Sequence, residues 1–428
     1  MFEQVINPIV KQAGQLLKLR RVFHLCLLTS LFTVIFSAVP VMADFEKPQT
    51  FKAQSLLKPE LLKGKYHTVN DQVKNDGFFN YYTVKSDFGS FKAGSTMDLE
   101  VLVNEINAIA DMTKVETDDT AMESLKTSGK KTAVGLKHLW NEPEDTFKSA
   151  ASSASSLFNR AKETVGERET STAEDSKFEQ LVGISKSKGI IATKYAVNVY
   201  SRNEVLQKQL DRLGQADFAG GLGVGIASSF VPGIGGLILT TSATARILNE
   251  AINNTPASKL WVDNKHKLQA MGIDEDTITL FLNNPSFSPA LSTVLVTALE
   301  KMNGVDNRGL FIKVSLQVSN PAMAKTITRI SLMTAGYHKN ISPLKSIATM
   351  ARLTQGIRKD GSRVVLLPTD YITWNERVAD AATGVRKAAK GSDTELWVLG
   401  SLSQQAAAEF EKLDWKIQTN ARAKLFVN

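Results

Sequence analysis

Apolar and polar residues alternate along this chain in rhythms that change several times between its ends. A basic stretch, KLRR (Lys18 to Arg21), precedes an uncharged run from Val22 to Ala43. The basic flank, the apolar run and the small residues Val41 and Ala43 read as an export signal, with Asp44 as the expected new N-terminus. The 18 residues from Val22 to Val39 are also long enough to span a bilayer as an uncleaved anchor. The VMA sequence and the helix-breaking Pro40 favour cleavage. Residues 44–63 are polar and irregular and read as a tether.

Residues 64–115 change to a two-residue rhythm. Asp76-Gly77 separates two runs rich in Val, Thr, Tyr and Phe, which predicts a β-hairpin. From Ser95 to Val115 the period lengthens. Leu99, Leu102, Val103, Ile106 and Ile109 recur at three and four residues and predict a helix with one apolar face. Residues 116–180 are rich in Ala, Ser, Lys and Glu. Trp140, Phe147, Leu157 and Phe158 allow a loose amphipathic helix there, read either as interfacial or as a solvated surface helix with a linker. Residues 181–258 are more densely apolar. Ser201 and Glu204 have the spacing of a capping box ahead of a helix.

Residues 259–357 predict a helical array. Its segments are Leu280 to Asn284, Pro289 to Met302, Leu310 to Val318, Ala322 to Tyr337 and Ile341 to Leu353, broken by Pro285, Gly304, Pro321 and Pro343. Residues 358–428 alternate strand and helix: RVVLLP, NERVADAATGVRKAAK, ELWVLG, SQQAAAEFEKL, WKIQT. That order predicts a small parallel βαβαβ module. The fold class is therefore α+β, mainly α: an N-terminal β-hairpin unit, a helical centre and a C-terminal α/β module.

Composition narrows the function. The chain is 43% hydrophobic and 22% charged, as globular proteins are. Its one cysteine, Cys26, lies inside the export run. The remainder therefore has no disulfide, no thiolate metal site and no cysteine nucleophile, and its stability rests on its core. The formal net charge is +8. No dense basic stripe with interleaved aromatics occurs, which argues against nucleic acid. A mild attraction to anionic headgroups is compatible with this charge.

Phe218 to Ala245 is 28 residues without a charged side chain. Its core, GGLGVGIASSFVPGIGG, holds no G-x-G-x-x-G, and no G-x-x-x-x-G-K-[ST] occurs in the chain, so it is not read as a phosphate cradle. Gly221, Gly225, Ser229 and Gly233 recur every four residues, a spacing that lets two helix backbones approach closely. Pro232-Gly233 then breaks the helix. The expected structure is a helical hairpin, either buried against other helices or in contact with a membrane, and such a hairpin also allows a homo-oligomer.

Chemistry has fewer candidates. His67, His138, His266 and His338 show neither H-x-x-x-H nor H-E-x-x-H spacing, and no metal or other cofactor is expected. A G-x-S-x-G elbow does not occur. In open parallel sheets ligands bind beyond the carboxyl ends of strands. Asp370 follows the strand RVVLL there, and Ser401 follows ELWVLG. Ser401 is expected to cap the next helix with Gln404 three residues on. Asp370 and Ser401 are the catalytic alternative; a turn and a helix cap are the plainer roles.

The run AVNVYSRNEVLQKQLDRLGQADFAGG (196–221) resembles a set of exported proteobacterial proteins in which a V-D-P-Y-T-x-N-x-x-L run precedes a helix and a glycine-rich stretch. Val197, Tyr200, Asn203 and Leu206 match; Asn198 and Val199 stand where Asp-Pro is usual. Phe281 to Pro289 and LSQQAAAEFEKLDW are also similar. The resemblance implies export and this domain order and brings no catalytic residues with it. The function expected is a periplasmic or envelope-associated interaction protein whose partner is an envelope protein or a membrane surface. A hydrolase or ligand-binding enzyme at Asp370 and Ser401 is the alternative.

Overall fold

The computed structural model describes residues 45–115, 185–218 and 243–426. The export run, the amphipathic helix expected within 116–180 with Trp140 and His138, and the glycine-rich positions Gly221, Gly225, Ser229, Pro232 and Gly233 lie outside the described residues.

The first elements are β1 (Thr50–Lys52), α1 (Ala53–Leu56) and α2 (Pro59–Leu62). Residues 45–63 are thus folded rather than a tether. Ala53, Leu57 and Leu61 are buried in the same core as the following sheet, so the apolar positions spaced four apart in this stretch do pack. Next come β2 (His67–Val69), β3 (Gln72–Asn75), β4 (Asn80–Ser86) and β5 (Gly89–Ala93). All pairings are antiparallel, in the order β1-β3-β4-β2, with β5 also on β4. Alternation puts Val73, Tyr82, Val84, Phe91 and Ala93 inward, the pattern of a sheet with one solvated face.

The helix α3 (Thr96–Thr113) covers that inner face, capped by the Ser95 hydroxyl, which accepts from the Asp98 N–H at 3.0 Å. Helices α4 (185–194) and α5 (Glu204–Phe218) complete this core through Ile191, Leu206, Leu210 and Leu213. The predicted Ser201 cap of α5 is replaced. Asn203 Oδ1 accepts from the N–H groups of Val205 and Leu206 at 3.1 and 3.3 Å, while Ser201 turns its hydroxyl to Glu105.

The helical centre comprises α6 (Ala243–Asn253), α7 (Ala257–Ala270), α8 (Glu275–Leu282), α9 (Pro289–Lys301), α10 (Leu310–Ser315) and α11 (Pro321–Asn340). Asp274, Ser288 and Asn320 cap α8, α9 and α11, the residue types that satisfy orphan amides best. Proline occupies the first turn of α9 and α11, where its missing N–H does no harm.

The expected helix from Ile341 to Leu353 is instead β6 (Leu344–Met350), paired with β7 (Leu353–Arg358). The register shifts between Leu344 and Ser346. Such a bulge puts Leu344 and Ile347 on one face, so a three-residue spacing that mimics a helix arises in a strand. Both residues are buried.

The remaining elements are β8 (Arg363–Leu367), β9 (Tyr371–Ile372), α12 (Glu376–Ala388), β10 (Thr394–Val398), β11 (Ser401–Leu402), α13 (Gln404–Lys412), β12 (Trp415–Gln418) and α14 (Arg422–Leu425). The sheet runs β12-β10-β8-β7-β6; β8, β10 and β12 are parallel, and β6 and β7 extend it antiparallel. Both faces are covered, which is why Val364, Val365, Leu366 and Leu396, Trp397, Val398 are apolar in succession. Val364 and Leu366 join the helical centre, and Val365 and Leu396 pack under α12 and α13. The architecture is α+β and mainly α.

Candidate functional site at the ends of the parallel strands

Beyond the carboxyl ends of β8 and β10 the chain brings Asp370 and Ser401 side by side through their backbones. The Ser401 N–H donates to the Asp370 carbonyl at 3.0 Å, and Gly400 N–H donates to Thr369 at 2.9 Å. Ser401 pairs with Tyr371 in the short parallel ladder of β9 and β11. The approach admits only glycine at 400, since a Cβ there would stand 1.8 Å from the Asp370 carbonyl oxygen. The helix cap predicted for Ser401 belongs to Ser403, whose hydroxyl accepts from the Ala406 N–H at 2.9 Å. The sequence SLSQQ offers two serines, and the β9–β11 pairing engages the first.

This crevice, where a ligand would sit in an open parallel sheet, is filled by the chain's own N-terminal hairpin. The turn between β3 and β4 carries Gly77 at φ +98°. The Phe78 carbonyl accepts from the Asp370 and Tyr371 N–H groups at 2.9 and 3.3 Å, and the Gly77 carbonyl from Thr373 N–H at 3.2 Å. Phe78 packs on the core beneath α12 and α13, and Phe51 meets the Tyr371 ring edge-on at 5.0 Å. Glu46 closes the seam from the other side. Its carboxylate accepts from the Trp374 N–H at 2.6 Å and from the Ser403 hydroxyl at 2.5 Å.

The Asp370 side chain points into the same seam. Its carboxylate accepts from the Asn80 N–H at 2.9 Å and from the Thr96 N–H at 3.1 Å to each oxygen. It therefore supplies the anion at the start of α3, where orphan amides and the helix dipole favour one. Burial pushes the Asp370 carboxyl up to about 6, against the lowering effect of the Asn80 and Thr96 bonds and of Arg329. A raised carboxylate marks catalytic sites and structural ones alike. Here both backbone donors belong to the N-terminal unit.

Two residues on, still in the first turn of α3, Asp98 receives Arg329 at 2.7 Å and Lys325 at 3.1 Å from α11. Burial alone would raise the Asp98 carboxyl; the two cations overcome it and hold it well below the usual range. Arg329 is itself buried and also reaches the Ser95 hydroxyl at 3.3 Å. Further on, Glu105 is buried and accepts from the Ser201 hydroxyl at 2.5 Å and the Asn203 amide at 3.0 Å. Burial raises its pKa against those two bonds. Sequence reasoning passed over Glu46, Asp98 and Glu105. Of these only Asp98 left a signal, as the fourth residue of a Ser95-x-x-Asp98 capping signature.

The residues matched in the 196–221 run have structural partners. Val197 and Leu206 are buried. The Tyr200 hydroxyl donates to the Thr255 carbonyl at 2.8 Å, and Asn253 holds the Val197 carbonyl and the Val199 N–H at 2.8 and 3.0 Å. Phe281 and Phe287 meet edge-to-face at 5.1 Å. His67 bonds the Leu61 carbonyl at 3.1 Å and His338 accepts from Leu344 N–H at 3.0 Å. Burial lowers the pKa of both rings. Among the described residues no group of three or more His, Cys, Asp or Glu is placed to hold a metal, and no helix is long and apolar enough to cross a membrane. No family model, no curated protein and no solved structure matches the chain.

Proposed function

We propose that this is an exported, periplasmic or envelope-associated protein that acts by interaction rather than catalysis, with the glycine-rich stretch around Gly221, Gly225, Ser229, Pro232 and Gly233 as a contact with an envelope partner or a membrane surface. The observation that carries this reading is the filled crevice. The Asp370 carboxylate, the group best placed for chemistry, is taken up by the hairpin and the start of α3, and the hairpin turn is bonded to the backbone of residues 370, 371 and 373; Ser401 is joined to Asp370 through the backbone. Export is supported by the leader pattern. Glu46 stands two residues past Asp44, so cleavage after Ala43 leaves the seam with Trp374 and Ser403 intact.

The test is fractionation of cells combined with N-terminal sequencing of the recovered chain. A chain beginning at Asp44 in the periplasmic or envelope fraction supports the reading. A cytoplasmic chain that retains residues 1–43 overturns it.

A further inference from the structure

In the N-terminal unit Glu46, Asp98, Glu100 and Glu105 are turned toward partners within the fold; Glu100 takes Arg422 from α14 at 2.8 Å. Glu60, Asp71, Asp76 and Asp87 are exposed, all of them outside the strands. The strands themselves carry lysines on their outer face. Strand alternation puts Lys52 on β1, Lys74 on β3, Lys85 on β4 and Lys92 on β5 on the outer face, and all four are exposed. The bridge from Lys63 to Thr68, and the pairing of Thr68 with Lys85, set Lys63 on the same face in the same row. No strand position facing outward carries Asp or Glu. Lys52, Lys63, Lys74 and Lys85 have no ion-pair partner among the described residues.

The spacing keeps these charges largely independent of one another. Lys63 and Lys85 are two strands apart, roughly 10 Å, beyond the screening length of about 8 Å at physiological ionic strength. No lysine stands directly opposite another across a strand pair, so the sheet tolerates them all on one face. The face is broad and belongs to a sheet rather than a cleft. Such a surface complements a layer of negative groups better than a single small ligand.

We propose that the outer face of the β1–β5 sheet docks on an anionic lipid surface, with Lys52, Lys63, Lys74 and Lys85 on headgroup phosphates. The choice of a membrane as occupant rests on the envelope reading above; the cationic face itself does not. Juxtaposed lysines gain attraction additively near an anionic leaflet and lose it with added salt.

The test is flotation of the chain, in the form recovered from cells, with phosphatidylglycerol vesicles and with phosphatidylcholine vesicles. Three chains are compared: wild type, Lys52→Glu/Lys74→Glu/Lys85→Glu, and a control with the same charge change on the C-terminal module, Lys345→Glu/Lys359→Glu/Lys390→Glu. All six positions are exposed, and a thermal melt confirms each fold. Wild type and the control are expected to float with phosphatidylglycerol only, and the sheet triple to bind about a hundredfold more weakly. Equal binding by the sheet triple and wild type, equal loss in the control, or equal binding to phosphatidylcholine overturns the proposal. Binding to a DNA duplex without binding to vesicles overturns it as well. Cytoplasmic fractionation would sink the envelope reading, while the vesicle result still decides whether this face binds lipid.

Discussion

Asp370 lies 274 residues beyond Thr96 in the chain, yet each of its carboxylate oxygens sits 3.1 Å from the Thr96 backbone N–H. One acidic side chain from the C-terminal module thus completes the first turn of the helix that supports the N-terminal sheet. Replacing Asp370 by Ala leaves the Asn80 and Thr96 amides without their acceptor and removes a favourable charge at a helix start. The expected loss is about 2–3 kcal/mol of unfolding free energy. Asp370→Asn keeps an acceptor oxygen and should lose about half as much. Urea titration of the two variants checks the order.

The same residue gives a signed pH dependence. Its folded-state pKa of about 6 lies above the ordinary carboxylate value, so the native state binds its proton first. Its contribution is full below the unfolded value and is lost as pH rises through about 6. Asp98 has the opposite sign. Its lowered pKa contributes stability above the unfolded value that is lost as pH falls. In melting curves, the stability gap between wild type and Asp370→Asn should widen as pH falls from 6 to 4, because only the wild-type carboxyl takes up a proton in that range. Parallel curves would mean that Asp370 is solvated.

Arg329 is buried against Asp98. Arg329→Met strands a carboxylate that only Lys325 can then meet, and should cost about 3–5 kcal/mol. The double change Asp98→Leu, Arg329→Met removes both charges and should recover much of that loss. A double-mutant cycle measured by chemical denaturation separates the pair from its surroundings.

Gly400 faces the Asp370 carbonyl so closely that neither partner can rotate away, because both are backbone. Gly400→Ala must separate β9 from β11 and is expected to destabilise by more than about 3 kcal/mol. Gly391 is the comparison. It has φ +93° with open space around its Cβ position. Gly391→Ala carries backbone strain alone and should cost about 1 kcal/mol. Thermal melts of both variants check the ranking.

Some of this was legible beforehand. Asp76-Gly77 announced the hairpin, the spacing from Leu99 to Ile109 announced α3, and strand-helix alternation after 358 announced the parallel sheet. These features are local: each is written in the period of its own residues. The errors are long-range. Leu344 and Ile347 imitate a helix because a bulge shifts their register. Residues 45–63 looked like a tether because their few apolar positions pack only once a distant sheet and helix are in place. Asp370 stood out in the sequence for its place after a strand. Its role depends on Asn80 and Thr96, almost 300 residues earlier, and no local pattern could reveal that it caps a helix.

The most direct measurement of the central claim, that the N-terminal hairpin fills the strand-end crevice, is native-state hydrogen exchange at the amides of Asn80, Thr96, Asp370 and Thr373. These N–H groups bond across the seam. They should exchange as slowly as the core strand β8, and those of Asn80 and Thr96 should quicken in Asp370→Ala. Exchange at the rate of an open loop in the wild-type chain would mean that the crevice stands empty, and would return Asp370 and Ser401 to the list of residues available for a ligand.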